Sequence, residues 1–358
     1  MRRFFAWVEK YERHLSAAAM VVGFAIDNVA FERPDAVLTQ SVFLTYLIVG
    51  SVSIAWLHYL KSRERGGSFA RRMGSILPIV TQFMLGGAWS AYLIFYSRSA
   101  FIGASWPFLL LLGGIFLGNE IFKKYHEQLA FTAILLYFAL FSYLIFTLPI
   151  LTHSLSDGIF LESGALSLAI IAPYLLFLRL LGPARFKKSR RAILTGIIAV
   201  FGVINFFYFT NILPPLPLAL KDIAVFHSVV KEGGVYIAQS EPSPWYAALG
   251  FPVTEHVIPG TSLSVFSSVF APTALSTSIR HRWEEYDAAT HAWVTRAVVA
   301  YPITGGVGSG YRGYSVKGGV ETGSWRVLVE TARGTVIGQI RFDVATTTAV
   351  PPLATVTR

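Results

Sequence analysis

The sequence predicts an α+β protein whose helices and strands lie in separate domains: a seven-helix transmembrane bundle followed by an all-β immunoglobulin-like sandwich or small barrel. Of the 358 residues, 54% are hydrophobic and only 14% are charged, which is typical of integral membrane proteins. Long apolar stretches recur as far as residue 210. Beyond about residue 233 the helical period gives way to alternation of apolar and polar residues, the pattern of strands.

The first 210 residues contain the helical elements. Residues 1–14 alternate aromatic with charged side chains, which predicts an amphipathic helix lying on the cytoplasmic leaflet. A helix that crosses about 30 Å of hydrocarbon needs roughly 20 apolar residues. Seven such stretches are present: 15–31, 36–60, 74–96, 101–122, 129–151, 159–181 and 192–209. We therefore assign residues 15–210 to a seven-helix transmembrane domain.

The Lys and Arg residues predict the orientation of these spans, since cytoplasmic flanks retain positive charge. One set of flanks holds sixteen Lys and Arg residues, and the alternate loops hold only Arg33 and Arg98. With seven spans, this bias places the N-terminus in the cytoplasm and the C-terminal domain outside it. We expect a multi-pass protein of the cytoplasmic (inner) membrane.

The C-terminal part begins with a proline-rich linker at residues 211–220, which cannot continue a helix. A β-domain is expected over residues 221–346, followed by a disordered tail at 347–358. Short alternating segments bounded by turn residues predict seven antiparallel strands. These are 235–239, 262–270, 278–286, 292–301, 310–317, 325–331 and 335–344. Their alternation places Trp283, Trp293 and Trp325 on inward faces.

Several short motifs in this region occur together. They are Leu213-Pro214-Pro215-Leu216-Pro217, Val269-Phe270-Ala271-Pro272-Thr273, His281-Arg282-Trp283 with Trp293, Gly310-Tyr311-Arg312-Gly313-Tyr314-Ser315, and Trp325-Arg326-Val327 with Gly338 and Phe342. Over about residues 211–345 the chain resembles a family of bacterial multi-pass membrane proteins with a C-terminal extracytoplasmic domain of unknown function. The resemblance implies a sandwich-like module and no established activity. It also implies arginines at the positions where this chain has Val307 and Gln339.

The candidate ligand-binding residues of the β-domain lie beside its glycine-rich segment. They are Tyr311, Arg312, Tyr314 and Lys317. Aromatic rings can stack on sugars and cationic groups can contact anions. Structural packing and cross-strand pairing are the alternative role for these four side chains.

Three other patterns point to chemistry only superficially. The glycine-rich segment 305–310 lacks the following helix of a phosphate-binding loop, so we expect a flexible hairpin loop. Ser228 and Lys231 have the spacing of acyl-serine enzymes but lie in a small β-rich domain. His281, Glu285 and His291 could approach one another, yet a polar cross-strand patch explains them better than a metal site. We expect no metal and no cofactor.

Ionisable groups within membrane spans are functional candidates because burying a charge there is costly. Asp27 and Asn28 lie near the outer end of the first span, and Glu162 lies near the outer start of the sixth. They form a candidate polar membrane site beneath the β-domain. The alternative is that these groups reach interfacial water.

The predicted function is a membrane-anchored binding module. We expect the lipid bilayer and an envelope component (a glycan, a lipid or a partner protein) as partners, and catalysis is not expected. The alternatives are a membrane enzyme acting on a lipid-linked substrate near the outer leaflet, or a transporter. The formal charge of +10 does not indicate a nucleic-acid partner, because its excess lies in the predicted cytoplasmic loops.

Overall fold

The structure is a computed structural model that describes residues 22–31, 33–63, 67–121, 128–249, 251–272, 275–306, 308 and 310–358. The predicted interfacial helix at residues 1–14 lies outside the described residues, as does the beginning of the first predicted span. The chain forms two compact units, one of Met1–Ser97 with Ser105–Leu213 and the other of Arg98–Ala104 with Pro214–Arg358, so that the main boundary lies within the predicted linker.

Seven helices precede the strands in the described part of the chain. They are α1 (residues 22–30), α2 (Val37–Ser62), α3 (Ser68–Ser99), α4 (Ile102–Ile121), α5 (Leu129–Thr152), α6 (Asp157–Leu181) and α7 (Pro183–Phe209). Six of them, α2 to α7, are long and apolar enough to cross a membrane. Helix α7 begins nine residues before the expected apolar span. Its first turns are rich in Lys and Arg, which have high helix propensity. Pro183 occupies the first helical position, where proline is favourable.

Helix α5 is the most buried of the six long helices, and α2, α6 and α7 pack around it. Glycines allow two of these neighbours to approach closely. A Cβ at Gly196 of α7 would overlap the Ile134 side chain of α5, and a Cβ at Gly164 of α6 would lie 3.4 Å from the Phe141 ring. These contacts explain how glycine in a helix interior is tolerated despite its entropic cost.

The second unit contains eleven strands in its described residues. They are β1 (Ala219–Phe226), β2 (Ser228–Glu232), β3 (Val235–Ser240), β4 (Val253–Val257), β5 (Ser262–Phe270), β6 (Ser276–Asp287), β7 (Ala292–Thr304), β8 (Tyr311–Gly318), β9 (Gly323–Thr331), β10 (Val336–Thr346) and β11 (Ala354–Thr357). All seven predicted strands are present, as β3 and β5 to β10. The predicted strand at 262–270 has the observed bounds of β5.

The strands form three sheets, with orders β1-β5-β8, β4-β10-β9-β6-β7 and β11-β3-β2. None of these sheets closes into the expected small barrel in the described residues. One pair, β4 with β10, is parallel, whereas only antiparallel strands were expected. The immunoglobulin-like topology stays a prediction.

The expected disordered tail is wrong for its last residues. Strand β11 pairs with β3 from Ala354 to Thr357, and the backbone of Arg358 exchanges two hydrogen bonds with Tyr236. The segment was missed because a four-residue strand after two prolines has too little alternation to reveal itself.

A hydrophobic core of the β unit lies between the three-stranded sheet β1-β5-β8 and the five-stranded sheet. Trp283, Trp325 and Phe342 fill it from the larger sheet, and Leu263 and Val265 from the smaller. The Trp283 and Phe342 rings meet edge to face with centroids 6.2 Å apart. The inward predictions for Trp283 and Trp325 are confirmed, since both side chains are almost fully buried.

Candidate functional site

A β-bulge in β7 moves one predicted core residue to the opposite face of the five-stranded sheet. Trp283 pairs with Ala297 and the next residue, Glu284, pairs with Thr295, so Arg296 has no partner on β6. Such an extra residue reverses the side-chain alternation beyond it. Trp293 therefore lies opposite Tyr286, on the face that points away from the core, and its inward prediction is wrong.

Two arginines face Trp293 on this outer surface. The Arg326 guanidinium lies 4.5 Å from the ring centroid and that of Arg341 lies 5.9 Å away. Tyr286 contacts the edge of the same indole, with centroids 5.3 Å apart. We call Tyr286, Trp293, Arg326 and Arg341 the aromatic–arginine patch. It combines an aromatic surface with cations, the chemistry that binds anionic ring-containing ligands.

Buried carboxylates beside the patch hold one of its arginines. Glu284 accepts a hydrogen bond of 2.6 Å from Arg326 Nε and forms a 2.9 Å ion pair with Arg282. Arg282 also pairs with Glu330. Burial raises the pKa of Glu330, and the hydrogen bond from Arg282 only partly opposes this rise. Arg341 lies directly opposite Arg326 in the β10–β9 pair, and no ion pair involves it among the described residues. Like charges opposite each other on a sheet cost stability, which an anionic ligand would relieve.

A second polar group forms where the β11-β3-β2 sheet meets the edge strand β4. His227 lies between β1 and β2, Glu241 follows β3 directly, and Glu255 and His256 are neighbours in β4. His227 Nε2 lies 3.0 Å from Glu241 Oε1 and 3.6 Å from Glu255 Oε2. We call His227, Glu241 and Glu255 the carboxylate–histidine cluster. No sequence signal indicated it, because its members come from three separate segments.

The electrostatics of the cluster follow from its burial and its contacts. The facing Glu255 carboxylate raises the pKa of His227, burial opposes this effect, and Glu241 raises the pKa further. At 3.6 Å the Glu255 contact is longer than a hydrogen bond and acts as an electrostatic one. Burial alone would raise the pKa of Glu241, but hydrogen bonds from His256 and His227 outweigh it and lower that pKa.

The four predicted ligand-binding residues all lie on β8 and all are half-buried. They do not share one face. Tyr311 and Lys317 lie on the same side of the strand as Ser315, which accepts a hydrogen bond from Trp283 in the core. Arg312 and Tyr314 point to the other side, where Tyr314 packs 6.1 Å from the Tyr236 ring. A ligand-binding role for these four stays a prediction.

The candidate polar membrane residues have different surroundings in the described part of the chain. Asp27 accepts a 2.5 Å hydrogen bond from Ser90 of α3, and Asn28 is exposed on α1. Glu162 is exposed on α6. The structure describes no hydrogen bond or ion pair between Asp27 and Glu162. Their shared role in a membrane site also stays a prediction.

One histidine of the trio His281, Glu285 and His291 belongs to the core. His281 is fully buried and hydrogen-bonds to Ser267 at 2.8 Å and to Ser315 at 2.9 Å. Glu285 instead pairs with Arg296 at 2.8 Å. The third member, His291, lies 3.3 Å from the Tyr286 hydroxyl. These three residues do not converge.

The glycine-rich segment 305–310 and the pair Ser228 and Lys231 both lie among strands. The glycine-rich segment connects β7 of the five-stranded sheet to β8 of the three-stranded sheet, so the expected hairpin loop is wrong. Ser228 and Lys231 both lie on the extended strand β2, where their spacing places them on opposite faces. The glycine-rich segment is followed by a strand where a phosphate-binding loop needs a helix, and Ser228 and Lys231 lie on a strand where their chemistry needs one helical turn.

One comparison with known proteins matches part of the C-terminal region. A family model described as "Protein of unknown function (DUF2914)" matches residues 276–344, the stretch from β6 into β10. No curated protein matches the chain. Among solved structures, the Pseudomonas fluorescens alkylpurine DNA glycosylase AlkC, bound to DNA containing an abasic site analog, is similar at 9% identity. The alignment covers 87% of this chain and 99% of that one. Its TM-score of 0.23 is too low to indicate a common fold.

The match confirms a region of unknown function at the C-terminal end of the chain. It is shorter than the expected extent of 211–345, and it brings no activity and no ligand with it.

Proposed function

We propose that the chain is a multi-pass protein of the bacterial cytoplasmic membrane that displays its β unit outside the cytoplasm. Apolar side chains exposed on the long helices support this proposal, among them Ile79, Ile102, Leu180 and Ile198. Such a surface is unfavourable in water and suits lipid. The distribution of Lys and Arg residues supports the orientation.

The absence of cysteine from the sequence makes this topology simple to test. A single cysteine would be introduced at Thr290, in the turn between β6 and β7, or at Gly67, between α2 and α3. A membrane-impermeant maleimide should label Thr290→Cys in intact spheroplasts and Gly67→Cys only after permeabilisation. The reverse labelling pattern would contradict the orientation.

The β unit binds an acidic glycan of the cell envelope in this proposal. The aromatic–arginine patch is the observation that carries it, because the bulge turns Trp293 outward to the face that holds the guanidinium groups of Arg326 and Arg341. An indole stacks on the apolar face of a sugar ring, and guanidinium groups bind its carboxylates with charge-assisted hydrogen bonds. Arg341, exposed and opposite Arg326, supplies a cation for this purpose.

Binding would be measured with the full chain in lipid nanodiscs, with a carboxylated oligosaccharide such as oligogalacturonate and neutral dextran as probes. We expect saturable binding of the acidic probe alone. Trp293→Ala should weaken it about tenfold, equivalent to roughly 1.4 kcal/mol. Trp245→Ala is the matched control, since Trp245 is 80% exposed in the 3-10 helix Trp245–Leu249.

The cationic part of the patch requires its own comparison. Arg341→Gln should reduce acidic-probe binding, whereas Lys231→Gln should not, although Lys231 also lies over an aromatic ring, that of Tyr236. Equal binding of dextran, or equal losses in the Trp293 and Trp245 variants, would refute the proposal. Loss of binding in Arg312→Gln alone would move the site to the predicted residues of β8.

A further inference from the structure

The carboxylate–histidine cluster brings the chemistry of metal ligands together at one place. One atom from each of His227, Glu241 and Glu255 lies within 4.8 Å of the others, so that small side-chain movements place all three around one ion with ligand distances of about 2.1 Å. The three side chains are only 11 to 13% exposed. We propose that this cluster binds a divalent transition-metal ion of the zinc class.

A buried oxygen without a hydrogen-bond partner is the second observation. Glu255 is 8% exposed, and its Oε2 is buried and accepts no hydrogen bond. This atom points at His227 Nε2, 3.6 Å away. Leaving a carboxylate oxygen buried without a hydrogen bond costs about 1 to 3 kcal/mol or more. A cation between Glu255 and His227 removes that cost.

The remaining ligand is already held in place by His256. Glu241 Oε1 accepts a 2.6 Å hydrogen bond from the His256 backbone N–H, and Glu241 Oε2 accepts one of 2.8 Å from His256 Nδ1. Groups that orient a ligand in this way raise metal affinity, because less order must be imposed on binding. His256 is 49% exposed and acts as this orienting group.

The donor set selects the ion. Nε2 can coordinate a metal only when it carries no proton, so His227 would be neutral with its single proton on Nδ1. The two carboxylates then carry two negative charges, which a divalent cation balances. An imidazole nitrogen with two carboxylates suits Zn²⁺, Co²⁺ or Mn²⁺, whereas Ca²⁺ and Mg²⁺ prefer oxygen ligands alone. Three protein ligands leave a fourth position of a tetrahedral ion for water or another ligand.

The location gives the site a structural consequence. Glu255 lies in β4, the edge strand of the five-stranded sheet, and Glu241 extends β3 of the sheet that includes β11. A metal ion at the cluster therefore joins the two sheets and stabilises the docking of the C-terminal strand.

The test uses the full chain in detergent after treatment with a chelator. Co²⁺ would be titrated and followed by its visible absorption, and Zn²⁺ would then compete with it. We expect one equivalent to bind with micromolar affinity or better, and to slow amide hydrogen exchange in β3 and β11. Glu255→Gln and His227→Gln should each weaken binding at least tenfold.

Controls separate this site from other histidines and carboxylates of the β unit. Glu321→Gln and His291→Gln change exposed residues of the same types and should bind Co²⁺ as the unchanged chain does. Hydrogen exchange in β5 and β6 would verify that each variant is folded. Three results would overturn the proposal: no saturable binding by the folded chain, unchanged binding in both cluster variants, or displacement of Zn²⁺ by equimolar Ca²⁺ or Mg²⁺.

Discussion

The buried His281 should make the β unit less stable in acid. Its ring is fully buried between Ser267 and Ser315, and burial lowers the pKa of His281 to about 4. The ordinary value of a histidine is about 6.5. In the folded chain the imidazole therefore stays neutral at a pH at which the unfolded chain protonates it.

The sign and the size of the effect follow from proton linkage. Below pH 6.5 the unfolded state binds a proton that the folded state excludes, so the free energy of unfolding falls as the pH falls. The loss continues until about pH 4, where the folded state is protonated as well. A difference of about 2.5 pKa units corresponds to roughly 3 kcal/mol over this interval.

Native-state hydrogen exchange of the nanodisc-embedded chain would measure this effect. After correction for intrinsic exchange rates, protection of β5, β6 and β8 gives the free energy of opening at each pH. We expect it to decrease by about 3 kcal/mol between pH 6.5 and pH 4 in excess of the change in His281→Gln. His291→Gln, which removes an exposed histidine, should retain the dependence. Identical pH dependence in the unchanged chain and in His281→Gln would refute the reasoning.

Two further predictions concern packing and buried charge. Gly313→Ala should lower the free energy of unfolding by about 1 to 3 kcal/mol, because its Cβ would overlap the Tyr301 ring. Gly318→Ala, in the same strand but with open space around it, should be nearly neutral in the same denaturation experiment. Glu284→Gln should cost about 3 kcal/mol, since it removes the buried partner of two arginines. Glu285→Gln removes a more exposed ion pair, with Arg296, and should lower the free energy of unfolding by less than about 1 kcal/mol. Equal losses in the two glutamate variants would contradict the stronger contribution of the buried Glu284.

Local patterns in the sequence were sufficient for the main elements of the fold. The apolar stretches located α2 to α6 to within six residues at each end, and alternation located β5 to its observed bounds. Both patterns depend on which faces of a single segment meet an apolar environment. Strand β4 was missed because its five residues are too few to establish a period, and its partner β10 lies about ninety residues away.

The candidate sites depended on features that no local pattern contains. Alternation alone places Trp293 in the core, and the bulge at Arg296 turns it outward next to Arg326. His227 and Glu241 are fourteen residues apart and become neighbours only because β2 pairs with β3. Contacts of this kind arise from strand register and sheet packing.

The sequence by itself determined where the chain changes from helices to strands, because hydropathy and side-chain period are properties of consecutive residues. It also assigned Trp283 and Trp325 to the core for the same reason. Only the tertiary structure decided which polar groups meet. The bulge in β7 turns Trp293 toward the arginines of the aromatic–arginine patch. The pairing of β2 with β3 and the position of the edge strand β4 bring together the members of the carboxylate–histidine cluster.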